Sequence, residues 1–254
     1  MVHERPLVAI TTRSMDGGLL AARYEVVKAV IDAGLVPLVV CAGMYRTVHE
    51  LFALGVAGVV LPGGSDVSPS LYGQEVGVTT EASDLARDNF EVQVIRAARE
   101  RELPILGLCR GAQIVAVASG GQLIQEVTTV STALQHGKKD ATYADLSEPS
   151  AIHAVSLIPH TRASTVLNPV LLGQTLNVRS MHHQVVNPAS LPKDLRVTGT
   201  APDGTAAILE DTADNIFFQD HVEWGSTRQD WYWRLLSQLI FFDFAERVEQ
   251  SNLA

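Results

Sequence analysis

The stretch Leu103–Gln113, which reads Leu-Pro-Ile-Leu-Gly-Leu-Cys-Arg-Gly-Ala-Gln, constrains the fold of this chain more than any other. Pro104 ends the polar helical run before it, and the apolar residues that follow are typical of a short buried strand. Next comes the spacing Gly-x-Cys-x-Gly at Gly107, Cys109 and Gly111. This spacing indicates a nucleophile elbow, a tight strand-to-helix turn that holds a reactive side chain at the edge of a sheet.

The residues after Cys109 predict a helix over 112–119 that stops at Gly120-Gly121. Cys109 would then lie at a helix N-terminus, where the helix dipole and free N–H groups favour a thiolate. The alternative is a structural cysteine buried after a core strand, which is the commoner role of a lone cysteine. The flanking glycines favour the reactive role, whereas Cys41 lacks such a setting and is expected to fill the core.

Strands and helices alternate along the first half of the chain, which predicts a flavodoxin-like, doubly wound α/β fold with a mostly parallel sheet and right-handed crossovers. The predicted strands of this half span 7–11, 35–41, 58–61 and 105–108, and the helices span 24–33, 48–54, 84–102 and 112–119. Short strands at 154–158, 175–178, 195–199, 206–210 and 215–219 predict a small antiparallel extension. A last helix over 230–244 is expected to pack on the sheet.

Composition limits the class of protein. The chain has 254 residues, of which 46% are hydrophobic and 19% charged, so one globular domain covering 1–254 is expected. The net charge of −9 argues against nucleic acid or an anionic membrane as a partner, and it leaves a homodimer open. The N-terminal residues lack a basic region followed by an apolar region, so no signal peptide is expected, and no apolar run reaches ~18 residues. With two cysteines and no disulfide framework, a reducing cytoplasm is expected.

Other segments have two interpretations each. Pro62-Gly63-Gly64-Ser65-Asp66, after a predicted strand, is either a plain turn or a loop whose backbone approaches a ligand closely. Arg87, Asp88 and Glu91 share one side of a long helix and are most simply a solvated face, although some could brace the loop above them. Residues 136–150 are polar and aperiodic and are interpreted as a surface insertion or lid.

Histidines near the C-terminal half complete the candidate site. His182 and His183 are adjacent, so in a strand at most one could face a given ligand. His221 and Glu223 lie two residues apart, so in an extended chain they share a face, and the carboxylate could orient the imidazole. The alternatives are a solvated loop, or a metal site built from these four residues. The metal site is disfavoured because the adjacent pair has poor ligand geometry and no metalloprotease motif is present.

Taken together, these motifs resemble the class I glutamine amidotransferase superfamily, and in particular its γ-glutamyl-γ-aminobutyrate hydrolase group. The resemblance rests on the Gly-x-Cys-x-Gly elbow, the Pro-Gly-Gly loop and the late His-x-Glu. It also rests on three longer stretches, which are Leu61–Val67 with Leu71-Tyr72-Gly73, Pro104–Gln113, and His182-His183-Gln184. It covers nearly the whole chain in order.

The resemblance implies a role for each matching residue. It makes Cys109 the nucleophile, His221 the general base and acid, and Glu223 the orienting carboxylate. It gives the oxyanion hole to backbone N–H groups of Gly63, Gly64 and Arg110. It assigns Gln113, His183 and Gln184 to the γ-glutamyl part of a substrate. The chemistry implied is hydrolysis of a γ-glutamyl amide through a thioester, with no metal or organic cofactor.

The chain departs from the family pattern beside the late histidine. The family usually has Gln-Trp-His-Pro-Glu, whereas this chain has Gln219-Asp220-His221-Val222-Glu223. Asp220 is therefore a candidate for reading the amine half of the substrate, which could be an aminobutyrate, alkyl, polyamine or aromatic amine. An ionised Asp220 in the pocket would repel an anionic amine half.

Three rival functions remain open at this point. A glutaminase subunit could pass ammonia to a separate synthetase. A cysteine-elbow α/β-hydrolase would place its acid before the histidine, whereas Glu223 follows His221. A non-catalytic binding or stress protein of the same fold is the third, against which the Cys-His-Glu set argues.

Overall fold

A computed structural model describes residues 5–15, 19–130, 134, 136–137 and 151–253. The strands are β1 (Leu7–Met15), β2 (Leu19–Ala21), β3 (Val36–Cys41), β4 (Val56–Leu61), β5 (Ile105–Leu108), β6 (Leu123–Ile124), β7 (Ala151–Leu157), β8 (Thr175–Ser180), β9 (Val185–Val186), β10 (Leu195–Thr200), β11 (Ala206–Asp211) and β12 (Ile216–Phe218). The α-helices are α1 (Tyr24–Asp32), α2 (Val48–Phe52), α3 (Leu85–Arg99), α4 (Arg110–Ala118), α5 (Arg162–Val166) and α6 (Trp231–Leu253). None of these helices combines the length and hydropathy that a membrane span requires.

Parallel strands form one half of the central sheet, in the order β3, β1, β4, β5 and β12. The chain begins in β1, adds β3 on one side, and then crosses to β4 and β5 on the other. This reversal of direction is the mark of a doubly wound sheet, so the predicted α/β class is confirmed. The carboxyl ends of β4, β5 and β12 lie side by side, which brings together the loops that follow them.

Antiparallel strands continue the same sheet beyond β12, in the order β11, β10, β7 and β8. The predicted antiparallel extension is therefore confirmed, and β11 and β12 form the predicted strand pair. β6 and β9 make a separate small antiparallel pair, and β2 pairs with the end of β1.

Two hydrophobic cores cover the two faces of the sheet. One contains Val8, Ile10 and residues of α1 and α6, and the other contains Ala9, Val59 and residues of α2, α3 and α4. Every residue of β4 is buried, as expected for a parallel strand with helices on both faces. Burial of this kind on both sides fixes the carboxyl edge of the sheet as a rigid platform for the loops above it.

Some boundaries differ from the sequence-based prediction. The last helix was expected over 230–244 and runs from Trp231 to Leu253. α5 was not predicted, although Thr161 and Ser164 form a reciprocal capping box at its start. Of the predicted insertion or lid at 136–150, only residues 136 and 137 are described, so that prediction lies outside the described residues.

Candidate active site

The elbow at Cys109 has the geometry that the sequence predicts. Cys109 follows β5 and caps α4 with φ of 52° and ψ of −110°, a combination that is rare outside glycine. Its amide donates a hydrogen bond to the carbonyl of Phe218 at 2.7 Å, which ties the turn to the end of β12. A residue held in such a conformation costs ~1–3 kcal/mol, and strain of this kind is concentrated at functional sites.

The two glycines of the elbow are required by close packing. A Cβ on Gly111 would lie 1.8 Å from the carbonyl oxygen of Leu61, and one on Gly107 would lie 2.8 Å from the backbone of Gly111. Any side chain at either position would push α4 away from β4 and β5. The Gly-x-Cys-x-Gly spacing therefore reflects direct contact between backbone segments.

His221 and Cys109 meet at the loop that follows β4. A Cβ on Gly63 would lie 2.9 Å from Cε1 of His221 and 3.6 Å from Cβ of Cys109. The oxyanion-loop candidate Gly63 is therefore in contact with both predicted catalytic side chains, and a substituent there would obstruct them.

Glu223 holds the imidazole from its other side. Nδ1 of His221 lies 2.8 Å from Oε1 of Glu223, and both side chains are at most 1% exposed. The sequence-based argument placed them on one face of an extended chain, and that geometry is wrong. Val222 is helical, with φ of −79° and ψ of −24°, and Glu223 begins a 3-10 turn that brings its carboxylate under the ring.

The imidazole is surrounded by groups that favour its charged form. Burial lowers the pKa of His221, but the Glu223 carboxylate and the Cys109 thiol outweigh it and raise that pKa well above its usual value. Burial raises the pKa of Glu223, and the charge of His221 outweighs this and lowers it. Trp224 stacks on His221 with ring centroids 4.4 Å apart and 7° between the planes. The ring thus has its orientation fixed by one hydrogen bond and one stacked aromatic.

An ion-pair network lies under the loop of residues 62–66 after β4, which we call the oxyanion loop after its predicted role. Arg110, the first residue of α4, pairs with both Asp88 and Glu91 of α3, and all three side chains are at most 1% exposed. Nε of Arg87 lies 2.8 Å from Oε1 of Glu91, and Thr11 donates to the same oxygen at 2.6 Å. The simplest sequence interpretation, a solvated face at Arg87, Asp88 and Glu91, is wrong, and the bracing alternative is correct.

The network reaches the loop itself through Arg87. Its NH2 group donates to the carbonyls of Pro62 at 3.3 Å and Gly63 at 3.5 Å. A Cβ on Gly64 would lie 2.3 Å from Nη1 of Arg87, so the loop packs closely on the guanidinium group. The carbonyls of Pro62 and Gly63 are therefore turned toward Arg87. The first amides of α4, including that of Arg110, have no acceptor within the helix.

The charges of Glu91 and Arg110 are stable across a wide pH range. Burial raises the pKa of Glu91, but Arg110 and Arg87 outweigh it and hold that pKa at about 2. Burial lowers the pKa of Arg110, but Glu91 and Asp88 outweigh this and raise it. Asp88 keeps a raised pKa, because burial exceeds the stabilisation from Arg110 and the Ser68 amide.

Three glutamine amides line the region beside α4. Nε2 of Gln113 lies 2.9 Å from the carbonyl of Gln184 and 3.4 Å from Oε1 of Gln219. All three residues are at most 3% exposed, and within the described part of the chain both amide atoms of Gln184 and Nε2 of Gln219 have no hydrogen-bond partner. Gln113 and Gln184 were candidate substrate residues, and the structure brings them together. Gln219 was not predicted as a substrate residue, although its position two residues before His221 was a signal that could have identified it.

His183 occupies a different environment from its neighbour. Its Nε2 lies 3.0 Å from Oδ1 of Asp66 in the loop after β4, and its Nδ1 lies 3.7 Å from Glu126. The hydrogen bond with Asp66 exceeds the effect of burial and raises the pKa of His183. His183 therefore connects the candidate γ-glutamyl segment to the oxyanion loop. His182 and His183 both lie in the irregular segment after β8. The ring of His183 contacts Asp66, whereas that of His182 lies near Asp220.

Asp220 is buried against histidines on the antiparallel side of the site. Its Oδ1 lies 4.0 Å from Nε2 of His153 and 3.9 Å from Nε2 of His182. Burial raises the pKa of Asp220 to about 8, despite the opposing effects of His221 and Ser180. The expected repulsion of an anionic amine half required an ionised Asp220, and a carboxyl that is largely protonated at pH 7 does not supply it.

Within the described residues, no group of three or more His, Cys, Asp or Glu side chains could hold a metal ion. The metal alternative for His182, His183, His221 and Glu223 therefore has no geometric support there. Glu223 is committed to His221 and His183 to Asp66. Cys41 is buried at the end of β3, as predicted for a core residue.

Comparison with known sequences decides the family. The profile described as Peptidase C26 matches residues 6–224. The chain belongs to the peptidase C26 family. It is 34% identical over 160 residues to the candidate glutamine amidotransferase-like protein YvdE of Lactococcus lactis. The matched region covers 62% of this chain and 61% of YvdE. It is 31% identical over 225 residues to gamma-glutamyl-gamma-aminobutyrate hydrolase PuuD of Escherichia coli. This match covers 85% of this chain and 82% of PuuD.

Comparison with solved structures agrees on the fold. The crystal structure of a candidate GMP synthase subunit from Thermoplasma acidophilum matches with a TM-score of 0.63 and 16% identity, and the match covers 98% of both chains. These relatives confirm the predicted resemblance to class I glutamine amidotransferases. The family match and the similarity to PuuD support hydrolase activity, whereas the structural match supports the fold alone.

Proposed function

We propose that this protein is a cysteine-dependent amidohydrolase that cleaves the γ-glutamyl amide bond of a γ-glutamyl amine, giving glutamate and the free amine. The single observation that carries the proposal is the assembly of Cys109, His221 and Glu223 at the carboxyl ends of neighbouring parallel strands. The Nδ1–Oε1 distance of 2.8 Å and the shared contact of Cys109 and His221 with Gly63 support it. The similarity to PuuD supports the γ-glutamyl part of the substrate.

The first half-reaction forms a thioester. The Cys109 sulfur attacks the γ-carbonyl carbon, and the oxygen becomes an oxyanion held by backbone amides of Gly63, Gly64 and Arg110. In a comparable hydrolase one such donor contributes ~3 kcal/mol to the transition state. The carbon–nitrogen bond then breaks as His221 passes its proton to the nitrogen, and the neutral amine leaves. Glu223 keeps Nδ1 of His221 protonated and the ring in place.

The second half-reaction returns the enzyme to its starting state. His221, now neutral, removes a proton from water as the water oxygen attacks the thioester carbon. The carbon–sulfur bond breaks, the sulfur leaves as thiolate, and glutamate departs with its new carboxylate. Gln113, His183 and Gln184 are proposed to hold the γ-glutamyl group, because Gln184 and Gln219 present buried amide atoms without protein partners beside Gln113.

The purified protein alone should be assayed against glutamine, γ-glutamyl-aminobutyrate, γ-glutamylanilide and γ-glutamyl alkylamides. Glutamine is expected to be the poorest, because ammonia leaves the amine subsite empty and its binding energy unused in the transition state. Mass spectrometry after rapid quenching should detect a γ-glutamyl adduct on the peptide that contains Cys109. Glutamine as the best substrate would favour an ammonia donor, and no turnover of any amide would favour a binding protein.

A further inference from the structure

A buried cluster of histidines and one aspartate lies directly behind the candidate catalytic imidazole. We call His153, His182 and Asp220 the amine cluster. They come from β7, from the segment after β8, and from the segment after β12 that leads into His221. Their side chains are 3%, 4% and 2% exposed, respectively. Three segments that are distant in sequence thus bring two buried imidazole rings within about 4 Å of the buried Asp220 carboxyl group.

Among the residues that the structure describes, Oδ1 of Asp220 and both ring nitrogens of His153 find no hydrogen-bond partner. Nε2 of His153 and Nε2 of His182 lie 4.0 and 3.9 Å from the same oxygen, Oδ1 of Asp220. These separations are too long for direct hydrogen bonds, but they suit one bridging atom that bonds to all three. Buried polar atoms are normally paired, so the cluster is built to receive a donor.

The surrounding groups define what that donor can be. His136 packs against both other rings, but its nitrogens already contact Ser180 at 3.1 Å and Asp203 at 2.9 Å. Burial lowers the pKa of His153 to about 4, and with neighbouring histidines it lowers that of His182 well below the usual value. Both rings are therefore neutral at pH 7 and can each offer an acceptor nitrogen.

No described lysine or arginine pairs with the Asp220 carboxyl. The groups that face it are His153 from β7, His182 and Ser180 from β8 and its continuation, and His221 from its own segment. A carboxyl in this setting takes up a proton unless a cation is brought to it. The ligand that satisfies one carboxylate oxygen and two imidazole nitrogens is a small cation with several N–H donors.

We propose that the amine cluster binds a primary ammonium group, and that the amine half of the substrate is therefore an α,ω-diamine such as 1,4-diaminobutane. This inference rests on the proposed hydrolase function and narrows its substrate class. An ammonium group carries one positive charge and three N–H donors, which matches Asp220, His153 and His182. Neither an aminobutyrate nor an aromatic amine supplies that combination.

The position of the cluster relative to the bond that breaks is consistent with this substrate. Asp220 is the chain neighbour of His221, whose ring is proposed to protonate the leaving nitrogen. His182 is followed by His183 and Gln184, and the Gln184 carbonyl accepts from Gln113 on α4 at 2.9 Å. The segment His182-His183-Gln184 thus links the amine cluster to the candidate γ-glutamyl residues along the chain. The near nitrogen of a diamine would lie at His221 and its distal ammonium at Asp220.

The test compares two isosteric amides with the wild-type enzyme. γ-Glutamyl-1,4-diaminobutane and γ-glutamylpentylamide differ only in a terminal ammonium against a terminal methyl group. We expect kcat/KM to favour the diamine amide by at least about tenfold. We expect its KM, and not that of the pentylamide, to fall as pH rises from 6 to 9, because the ionised Asp220 binds the cation.

Two variants test whether the Asp220 carboxylate itself, and not another acidic side chain nearby, sets the preference for the diamine amide. Asp220→Asn should reduce the diamine preference to about onefold, measured as the ratio of kcat/KM for the two amides with the same variant. Asp203→Asn removes a nearby carboxylate that contacts His136 instead, and it should keep the preference. Far-ultraviolet circular dichroism checks that each variant is folded, and the wild-type substrate pair and pH series decide the matter if Asp220→Asn is not.

Measuring the binding of 1,4-diaminobutane directly distinguishes failure of the amine-cluster proposal from failure of the hydrolase proposal. Calorimetry should detect 1,4-diaminobutane binding to the wild type, with loss of at least about tenfold in affinity in Asp220→Asn. A pentylamide or aminobutyrate amide that is hydrolysed as well as the diamine amide, or a preference that survives in Asp220→Asn, would overturn the amine cluster and leave the hydrolase intact. Diamine binding without hydrolysis of any γ-glutamyl amide would overturn the hydrolase and support the cluster. Absence of diamine binding would overturn the cluster.

Discussion

Cys109 is the residue on which the proposed chemistry depends most directly. Its positive φ, its place at the start of α4 and its contact with Gly63 beside His221 all serve to present one sulfur atom. We expect Cys109→Ala to reduce kcat to below about a thousandth of the wild-type value, because no thioester can form. Cys41→Ala is the matched control and should retain activity. Initial rates with a γ-glutamyl amide and iodoacetamide labelling followed by peptide mapping provide the measurement.

Residual turnover in Cys109→Ala close to the wild-type rate would exclude the thioester route. Inactivation that follows alkylation of Cys41 would mean that the roles of the two cysteines are reversed. The unfolding midpoint of the Cys109→Ala variant should stay close to that of the wild type, since alanine keeps the Cβ and the backbone conformation of the elbow and α4 keeps its glycines.

Glu223 is expected to matter for rate far more than for stability. Glu223→Gln keeps the shape of the side chain but removes the charge that holds His221 in its charged form and in the right tautomer. Replacement of the equivalent acid by its amide costs ~10⁴ in kcat in the serine-protease triad, and we expect a loss of at least ~10² here, measured as kcat at saturating substrate. A rate within a few-fold of wild type would assign the orienting role to another acid, and Asp220→Asn in the same assay identifies or excludes Asp220.

The segments around the oxyanion loop act together through α3. Glu91 forms ion pairs with Arg110 and Arg87 and accepts a hydrogen bond from Thr11. Arg87 in turn donates hydrogen bonds to the carbonyls of Pro62 and Gly63. Breaking a buried ion pair by removing one charge typically costs ~3–5 kcal/mol. The network therefore links the start of α4, the body of α3 and the loop after β4 into one unit.

Glu91→Gln is expected to lower the free energy of unfolding by ~3 kcal/mol and to lower kcat more than it raises KM. The kinetic split follows because a loosened Gly63-Gly64 loop weakens contacts made only in the transition state. Glu100→Gln is the matched control, because Glu100 follows the same helix with its side chain 71% exposed. Urea unfolding and steady-state kinetics measure both effects. An unchanged kcat in a destabilised Glu91→Gln protein would make the network purely structural.

Local signals predicted some of these features and missed others for a physical reason. The elbow was predictable because each requirement lies within five consecutive residues, and the His221–Glu223 pair because the two residues are only two positions apart in the chain. The burial of Arg87, Asp88 and Glu91 was not, because Arg110 is about twenty positions away and Thr11 comes from β1. A charged helix face looks the same in sequence whether water or another segment covers it.

Chain topology explains the rest of the site across the whole molecule. β4, β5 and β12 lie side by side although β12 follows β5 by more than a hundred residues, so Gly63, Cys109 and His221 meet at one sheet edge. The antiparallel strands then bring His153, His182 and Asp220 behind that edge. The strand types were predictable from sequence, but their order was not, and the amine cluster exists only because of that order.

Burial of an uncompensated Asp220 should appear in the stability of the whole protein. Its pKa is raised from the usual 3.8 to about 8 in the folded state, so the folded protein binds an extra proton between these values. The contribution of this group to stability is therefore complete below pH ~4 and is lost as pH rises toward 8. The difference in free energy of unfolding, wild type minus Asp220→Asn, is expected to fall by at least ~2 kcal/mol between pH 5 and 8.

Urea unfolding at pH 5, 6, 7 and 8 gives this difference directly. His153 and His182 titrate in the opposite sense, losing stability as pH falls, but both proteins contain them, so their effect largely cancels. Asp32→Asn, at a surface carboxylate paired with Lys28, should show a flat difference over the same range. A flat difference for Asp220→Asn would mean that the carboxyl is ionised in the folded protein throughout. If the amine cluster binds ammonium, 1,4-diaminobutane should restore wild-type stability at pH 8 and leave Asp220→Asn unchanged, because only the ionised carboxylate binds the cation.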